Sequence, residues 1–267
     1  MIVFPNAKIN LGLNIVSKRA DGYHDLETIF FPVLIKDVLE VVEANELTFT
    51  SSGLKIPGEP KNNICLKAYE LLSKDLELPP VHIHLYKNIP IGAGLGGGSA
   101  DAAFLIRLMN DKFQLNLNVG QMEHYASQLG ADCAFFIQNQ PVFAMGKGDK
   151  FEKIGLNLSK YFLVVVMPDV HVSTSGAFKD IHPKPAVTCL VDLIKEDIFN
   201  WKFSIINDFE PGMIKRYPEI GSIKDYLYRA GAIFASMSGS GSSIYALFES
   251  PLKLPELEAG NRVFYGV

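Results

Sequence analysis

A glycine-rich segment between Pro90 and Ala103 has the composition of a phosphate-binding loop. Five of the seven residues in 92–98 are glycine, and glycine lets a backbone approach a ligand without Cβ atoms in the way. A predicted helix follows at once, and the unpaired N–H groups and roughly +0.5 charge of a helix N-terminus attract phosphate. Ser99 can cap this helix or offer its hydroxyl to a phosphate or a metal ion. The sequence therefore predicts a phosphate site here.

Other interpretations of this loop have to be weighed. A tight connection from strand to helix would need fewer glycines. The spacing Gly92-x-Gly94-x-x-Gly97 matches a dinucleotide-binding fingerprint, but Pro90 interrupts the incoming strand, and residues 107–112 end a helix where a second strand should end in an acidic residue. A Walker A loop is excluded because no Gly-Lys-Ser/Thr follows. The residues favour a different triphosphate-binding loop.

Lys8 and Asn10 stand two residues apart in a segment where apolar and polar residues alternate from Lys8 to Ile15. A period of two is typical of a strand with one buried face. It places Lys8 and Asn10 on the same face, about 6.6–6.8 Å apart. Taken alone, Lys8 fits an exposed lysine, and Asp132 fits an aspartate that caps backbone amides in a turn.

The elements that position these residues can be predicted from hydrophobic periodicity. Strands are expected at 9–15, 29–33, 38–42, 81–86, 162–167 and 244–248, and helices at 63–72, 99–110, 119–129 and 220–230. Gly130 and Gly231 are expected to end the last two helices, and Ser238–Gly241 forms a second glycine-rich loop. The mixture indicates an α+β or mixed α/β protein with a boundary near residue 155, which gives domains of 1–155 and 156–267.

Composition excludes several classes of protein. The net charge of −4 argues against a general nucleic-acid binder, which normally carries a basic stripe. No stretch approaches the ~20 apolar residues of a membrane span, and the first residues do not form a signal peptide. Three widely spaced cysteines predict buried, reduced thiols in a cytoplasmic protein. His82 and His84 alternate on a strand face that we expect to be solvated, not metal-binding.

Five segments in chain order resemble the superfamily of galactokinase, homoserine kinase, mevalonate kinase and phosphomevalonate kinase. Within it, they are similar to the 4-diphosphocytidyl-2-C-methyl-D-erythritol kinase family. The segments are residues 5–13 with 19–26, 90–103, 129–136, 207–211 and 237–241. Small departures from the family pattern are Cys133-Ala134, where Val-Pro is common, and Phe209, where Leu is common. We expect these to affect packing only.

The resemblance implies a fold and a reaction. The fold would be a two-lobed GHMP kinase fold of α+β class, with an N-terminal lobe like ribosomal protein S5 domain 2, a ferredoxin-like α/β sandwich as C-terminal lobe, and the active site in the cleft between them. The reaction would be transfer of the ATP γ-phosphoryl group to the 2-hydroxyl of 4-diphosphocytidyl-2-C-methyl-D-erythritol, a step of non-mevalonate isoprenoid synthesis. ATP and Mg²⁺ are the implied cofactors.

The same resemblance implies roles for individual residues. Asp132 would be the catalytic carboxylate and Lys8 its partner. The nucleotide would be bound by Pro90, Gly92, Gly94, Leu95, Gly96, Gly97, Gly98, Ser99 and Ala100, with Asn63 and Lys87 lining the adenine pocket. The acceptor substrate would be bound by Asn10, Tyr23, His24, Thr174, Phe178, Ser238 and Gly239, with the cytosine ring against Tyr23. A surface lysine at 87 and a helix-capping asparagine at 63 are the structural alternatives.

The remaining expectations concern partners and rival functions. We expect small-molecule substrates, no nucleic acid or membrane partner, and a monomer or weak homodimer. A sister kinase for mevalonate or homoserine is one rival, which Tyr23 and His24 argue against because those acceptors carry no base. A nucleotide-binding regulator without catalysis is the other, which the presence of both Lys8 and Asp132 argues against.

Overall fold

The computed structural model describes residues 1–170, 172 and 174–267, apart from the side chains of residues 174, 175 and 180. Its strands are β1 (Ile2–Val3), β2 (Asn6–Lys18), β3 (His24–Lys36), β4 (Val38–Glu43), β5 (Thr48–Gly53), β6 (Val81–Lys87), β7 (Val142–Met145), β8 (Lys150–Lys153), β9 (Phe162–Pro168), β10 (Phe234–Met237), β11 (Ile244–Phe248) and β12 (Asn261–Tyr265). Its α-helices are α1 (Ile64–Leu72), α2 (Gly97–Phe113), α3 (Val119–Leu129), α4 (Phe135–Gln138), α5 (Thr174–Ala177), α6 (Leu190–Leu193), α7 (Trp201–Ser204), α8 (Glu210–Arg216), α9 (Pro218–Arg229) and α10 (Pro255–Glu258).

Two units, each built from separate stretches of chain, contain these elements. The first unit comprises Met1–Ala7, Ile35–Ile91 and Gly96–Gln140, and the second comprises Lys8–Leu34, Gly92–Leu95 and Pro141–Val267. The glycine-rich segment thus supplies residues to both units. The boundary near residue 155 stays a prediction.

The first unit is a four-stranded sheet with helices. Its strand order is β1-β4-β6-β5, with β5 parallel to β6 and the other pairs antiparallel. Alternation in β6 buries Val81, Ile83 and Leu85 on one face. The long helix α2 packs against α1, α3 and α4, and its alanines and leucines are almost wholly buried. This packing fixes the N-terminus of α2, where the glycine-rich segment ends.

The second unit contains two further sheets, β2-β3-β7-β8 and the antiparallel β10-β11-β9-β12. Its core joins residues from both sheets to α9, among them Leu13, Val164, Ile220 and Ala246. The chain after Ile205 is bound to β2, because Leu13 N–H donates to the Ile206 carbonyl at 2.8 Å and Asp208 N–H donates to the Leu13 carbonyl at 2.8 Å.

The α+β class and most predicted elements are confirmed. Helix α3 has the predicted bounds, and Asn118 and Gln121 form a capping box at its start. Gly130 ends it as predicted, with an extended backbone at φ 173°. Gly231, after α9, does take a positive φ of 97°. Helix α2 is longer than predicted at both ends.

One expectation about β2 is wrong in a way that matters for function. Both faces of this strand are buried from Asn6 to Ile15, not only the apolar one. The polar face that carries Lys8 and Asn10 therefore lies inside the protein. Within the described part of the chain, no helix combines the length and the hydropathy needed to span a membrane.

Candidate functional site

The glycine-rich segment adopts a backbone that favours glycine. Gly92, Gly94 and Gly96 have φ values of 69°, 77° and 70°, in the left-handed region that side chains with a Cβ rarely enter. Gly96 is the N-cap of α2, and among the described residues no side chain caps this end and no acidic residue lies in its first turn. The end of a 17-residue helix is thus available to an anion.

The glycines of this segment serve different purposes. A Cβ at Gly97 would meet Ile89 Cγ2 at 2.7 Å, and a Cβ at Gly94 would collide with the Ser238 carbonyl. These two glycines are required by packing within the protein. A Cβ at Gly98 would meet nothing within 4 Å, and Gly98 is exposed and lines a cavity. Gly98 is therefore the position at which a ligand can approach the helix start most closely.

Gly98→Val tests this phosphate site without disturbing packing. We expect ATP affinity to fall by at least roughly 10-fold, because the added methyl groups would displace a phosphate from the helix N–H groups by an ångström or more. The fold should be intact, since the side chain enters open space. Calorimetric ATP titration and circular dichroism measure the two effects. Gly155→Val, also in open space, is the matched control, and an equal loss in both variants would contradict the assignment.

Lys8 and Asn10 form a buried polar group with the second glycine-rich loop. Their exposed fractions are 4% and 3%, and Lys8 Nζ donates to Asn10 Oδ1 at 2.5 Å. Lys8 Nζ also lies 3.4 Å from the Gly94 carbonyl, which accepts from the Ser238 hydroxyl at 2.8 Å. The same hydroxyl accepts from Asn10 N–H at 3.1 Å. Four of the predicted site residues are thus joined by hydrogen bonds, and the exposed-lysine alternative for Lys8 is wrong.

Two side chains of the 207–211 segment hold the second glycine-rich loop in place. Asn207 Nδ2 donates to the carbonyls of Met237 and Gly239, both at 2.8 Å. Glu210 accepts from Met237 N–H at 2.9 Å and also pairs with Lys224. In the sequence, residues 207–211 stood out only because they resemble the corresponding segment of the kinase family. Its structural role explains how Ser238 and Gly239 are positioned beside Asn10.

Lys87 is buried between two aspartates that the sequence analysis missed. Its Nζ lies 2.5 Å from Asp37 Oδ2 and 2.5 Å from Asp101 Oδ2, and all three side chains are at most 3% exposed. Asp37 Oδ1 also accepts the N–H groups of Asn88 and Ile89 at 2.6 and 2.7 Å. The surface-lysine alternative for Lys87 is therefore wrong.

The charges of Asp37, Lys87 and Asp101 shift the pKa values of Lys87 and Asp101. Burial lowers the pKa of Lys87, but Asp101 and Asp37 outweigh burial, so the pKa is raised overall. Burial raises the pKa of Asp101 well above its ordinary value, with Lys87 opposing this and Asp37 adding to it. Lys87 therefore stays charged between the two carboxyl groups. One carboxylate balances its charge, and a second buried carboxylate would add an unfavourable negative charge.

A cavity of about 200 Å³ lies beside this group, within the first unit. Its apolar walls include Phe49, Ile56 and Leu85, and its polar residues include Asn63, Lys87 and Asp101. Gly98, at the start of α2, lines it as well. Asn63 also caps α1, its Oδ1 accepting from Cys65 N–H at 2.8 Å. An apolar cavity with a few polar groups next to the predicted phosphate site suits the base of a nucleotide.

The predicted cytosine-binding residues lie in the second unit. Tyr23 follows the turn at 20–22 and is 60% exposed, with Lys147 Nζ 4.9 Å from its ring centroid. The His24 and Phe178 rings are stacked, with centroids 4.6 Å apart and planes 14° apart, so one face of Phe178 is covered by His24. Thr174 begins α5, but its side chain lies outside the described residues.

Asp132 lies half-buried in the turn between α3 and α4. Its neighbour Cys133 is buried and free, and burial raises the pKa of this thiol to about 11, while a hydrogen bond from Ser99 opposes the shift. Lys8 and Asp132 belong to different units, and their partnership stays a prediction.

His82 and His84 carry out a structural role. Their ring nitrogens are hydrogen-bonded to Thr48, Thr50 and Ser52 across the β5–β6 pair. Among the described residues, no cluster of three or more His, Cys, Asp or Glu side chains is arranged to hold a metal ion.

Comparison with known proteins decides the family. Residues 63–147 match the GHMP kinases N terminal domain, and residues 189–262 match the GHMP kinases C terminal domain. A 4-diphosphocytidyl-2-C-methyl-D-erythritol kinase from Bacteroides thetaiotaomicron is 53% identical over 99% of this chain and 98% of that protein. The protein of the same name from Cytophaga hutchinsonii is 48% identical over 94% of this chain and 93% of its own length. The chain belongs to the 4-diphosphocytidyl-2-C-methyl-D-erythritol kinase family of GHMP kinases.

Solved structures agree with this family. A crystal structure of 4-(cytidine 5'-diphospho)-2C-methyl-D-erythritol kinase superposes with a TM-score of 0.82 at 28% identity, covering 100% of this chain and 98% of that one. Homoserine kinase from Cytophaga hutchinsonii, at 18% identity and a TM-score of 0.69 over 98% and 95% of the two chains, shares the GHMP kinase fold. The predicted GHMP kinase fold is confirmed.

The departures from the family pattern lie in packed positions. Phe209 is 3% exposed and meets Phe178 edge-on, with ring centroids 4.9 Å apart. Cys133 and Ala134 are buried. In this GHMP kinase, Phe209 thus supports the ring that stacks on His24.

Proposed function

We propose that the chain transfers the γ-phosphoryl group of ATP to the 2-hydroxyl of 4-diphosphocytidyl-2-C-methyl-D-erythritol, giving the 2-phosphate and ADP. This is a step of non-mevalonate isoprenoid precursor synthesis. The observation that carries the proposal is the buried group of Lys8, Asn10 and the Gly94 carbonyl. Its hydrogen bonds connect the face of β2 that we expect to bind the acceptor with the glycine-rich segment that we expect to bind the phosphates.

The chemistry needs positioning more than proton removal. The transition state of phosphoryl transfer is loose, so the hydroxyl proton leaves late. A carboxylate with an ordinary pKa of about 4 cannot deprotonate an alcohol outright. Asp132 would therefore orient the hydroxyl and accept its proton at the end, while the Lys8 ammonium stabilises negative charge near the transferring group.

ATP is the nucleotide that GHMP kinases use, and Mg²⁺ is part of the proposal. In kinases this ion usually keeps several waters and binds through one or two carboxylates and the substrate phosphates, so no dedicated protein cage is required. The Ser99 hydroxyl, in the first turn of α2, fits as a ligand to the phosphates or the ion. When bound, Mg²⁺ would neutralise charge on the triphosphate. The cytoplasmic location and the monomer or weak homodimer remain predictions.

Substrate choice tests the proposed function directly. ADP release is measured with 4-diphosphocytidyl-2-C-methyl-D-erythritol, mevalonate, homoserine and galactose as acceptors. We expect rapid turnover with the cytidine compound alone. Equal or faster turnover with one of the other alcohols would contradict the proposal and favour a sister kinase.

Tyr23→Ala tests the cytosine pocket. Stacking of a base on an aromatic ring contributes about 1–3 kcal/mol, so we expect the acceptor KM to rise about 5- to 150-fold while the ATP KM is unchanged. Tyr23 is 60% exposed, so the fold should tolerate the change. Tyr86→Ala removes another exposed tyrosine, from β6, and serves as the control. Equal rises in both KM values would remove Tyr23 from the cytosine pocket.

A further inference from the structure

Asp101 carries an acceptor atom that the fold leaves unused. The side chain is 2% exposed and lines the cavity beside the glycine-rich segment. Its Oδ2 is bound by Lys87, whereas its Oδ1 has no hydrogen-bond partner among the described residues. Buried polar atoms are nearly always paired, and an unpaired one in a native protein calls for an explanation. Its position on a ligand cavity suggests that a ligand provides the partner.

The surrounding groups determine what Oδ1 can do. Asp37 Oδ1 already accepts two backbone N–H groups, and Asp37 Oδ2 binds Lys87. Lys87 also binds Asp101 Oδ2, so the ammonium lies between the two carboxyl groups. Asp101 Oδ1 is therefore the one oxygen of these two carboxyl groups without a hydrogen-bond partner among the described residues. This oxygen can accept a hydrogen bond.

We propose that Asp101 selects adenine in the nucleotide site, with Oδ1 accepting a hydrogen bond from the 6-amino group of the purine. The inference rests on the proposed function, in that the cavity is taken to hold the base of ATP. A purine with a 6-oxo group would place two acceptors against each other, and a purine with no 6-substituent would leave Oδ1 unpaired. Both should bind less well, because a site built around a hydrogen bond rejects analogues that lack its partner.

Asn63 provides a hydrogen-bond donor in the same cavity, where Asp101 provides an acceptor. Its Oδ1 accepts from Cys65 N–H, which leaves the Nδ2 amide group as the donor that Asn63 can offer to a ligand in this cavity. An adenine edge presents an amino donor beside a ring-nitrogen acceptor. The Asp101 acceptor can therefore pair with the amino group of adenine, and the Asn63 donor can pair with its ring nitrogen.

The unmodified protein gives the first test. Calorimetry without any acceptor substrate compares ATP with purine riboside 5'-triphosphate, which lacks the 6-amino group, and with inosine 5'-triphosphate, which has an oxo group there. We expect ATP to bind at least about 10-fold more tightly than either. Equal affinities would overturn the inference. No acceptor substrate is present in this titration. Its result therefore does not decide the proposed kinase function, which the ADP-release measurement tests separately.

Two variants test whether Asp101 is the residue that causes the preference for ATP over the other two purine nucleotides. The Lys87 ammonium can only donate, so in Asp101→Asn the amide oxygen must take the place of Oδ2 and the amide nitrogen the place of Oδ1. The variant then presents a donor to the 6-position, and the preference for ATP over inosine 5'-triphosphate should be lost. Asp101→Leu removes the acceptor while Lys87 remains paired with Asp37, and affinities for ATP and purine riboside 5'-triphosphate should converge to within about 3-fold. A full preference for ATP in either variant would contradict the role. If the leucine variant fails to fold, Asp101→Ala replaces it with the same expected convergence.

Discussion

Asp132→Asn is expected to lower turnover by about two to four orders of magnitude, the usual contribution of a positioned acid–base group. The amide is the same size as the carboxylate, but it cannot accept the hydroxyl proton. It also lacks the negative charge that pairs with Lys8 in the proposed mechanism. The side chain is half-buried in a turn, so the fold and the ATP KM should be unchanged. Steady-state kinetics with both substrates varied measures the effect.

A matched variant makes this result interpretable. Asp111→Asn changes an exposed aspartate in the last turn of α2, and should leave kcat as it is. If Asp132→Asn retains near-normal turnover, Asp132 is not the catalytic carboxylate. If instead the ATP KM rises while kcat holds, Asp132 acts on the nucleotide and not on the acceptor.

Asp37→Ala is expected to lower the free energy of unfolding by about 3–5 kcal/mol, the range for breaking a buried ion pair. The variant leaves the Lys87 ammonium with one carboxyl partner and removes the acceptor of two buried backbone N–H groups. Urea denaturation followed by fluorescence or circular dichroism gives the change, provided that the slope of the transition is the same in both proteins.

An exposed ion pair gives the comparison for this effect. Glu43 is 67% exposed where it pairs with Lys112, and Glu43→Ala should cost at most about 1 kcal/mol. A loss of that small size for Asp37→Ala would contradict the buried ion group described around Lys87. A large loss in both variants would indicate that the first sheet is generally sensitive to substitution.

The sequence could predict where the site elements begin because their signals are local. The bounds of α3 follow from Asn118 and Gln121 at one end and Gly130 at the other, all within a few residues of the helix. The shared face of Lys8 and Asn10 follows from the period of a strand, and the observed 2.5 Å hydrogen bond confirms it. Periodicity could not predict that other residues of the protein bury this polar face.

The Lys87 group illustrates what depends on tertiary contacts. Its partners, Asp37 and Asp101, lie 50 and 14 residues away in the chain, and no local pattern connects them. One signal was present, however. Lys87 continues the buried register of Val81, Ile83 and Leu85, and a buried lysine requires an anionic partner. That reasoning predicts a carboxylate near Lys87 without saying which one.

Strands with polar compositions were missed for a different reason. In β5, Thr48–Gly53 consists mainly of threonine, serine and glycine, which is typical of a loop. It becomes a strand because β6 offers it a parallel hydrogen-bonding edge. By contrast, β12 contains Val263, Phe264 and Tyr265, which favour a strand, and it pairs with β9. The glycines were recognised, but only the fold separates Gly94 and Gly97, required by packing, from Gly98, which is open to a ligand.

A crystal structure with a nonhydrolysable ATP analogue and the cytidine-linked acceptor is the most direct test of the proposed phosphoryl transfer. The account predicts the phosphates at the start of α2, beside Gly98. It also predicts the acceptor 2-hydroxyl between the terminal phosphorus and the Asp132 carboxylate, within hydrogen-bonding distance of that carboxylate. A terminal phosphorus far from Asp132, or an acceptor whose 2-hydroxyl points away from it, would contradict the account.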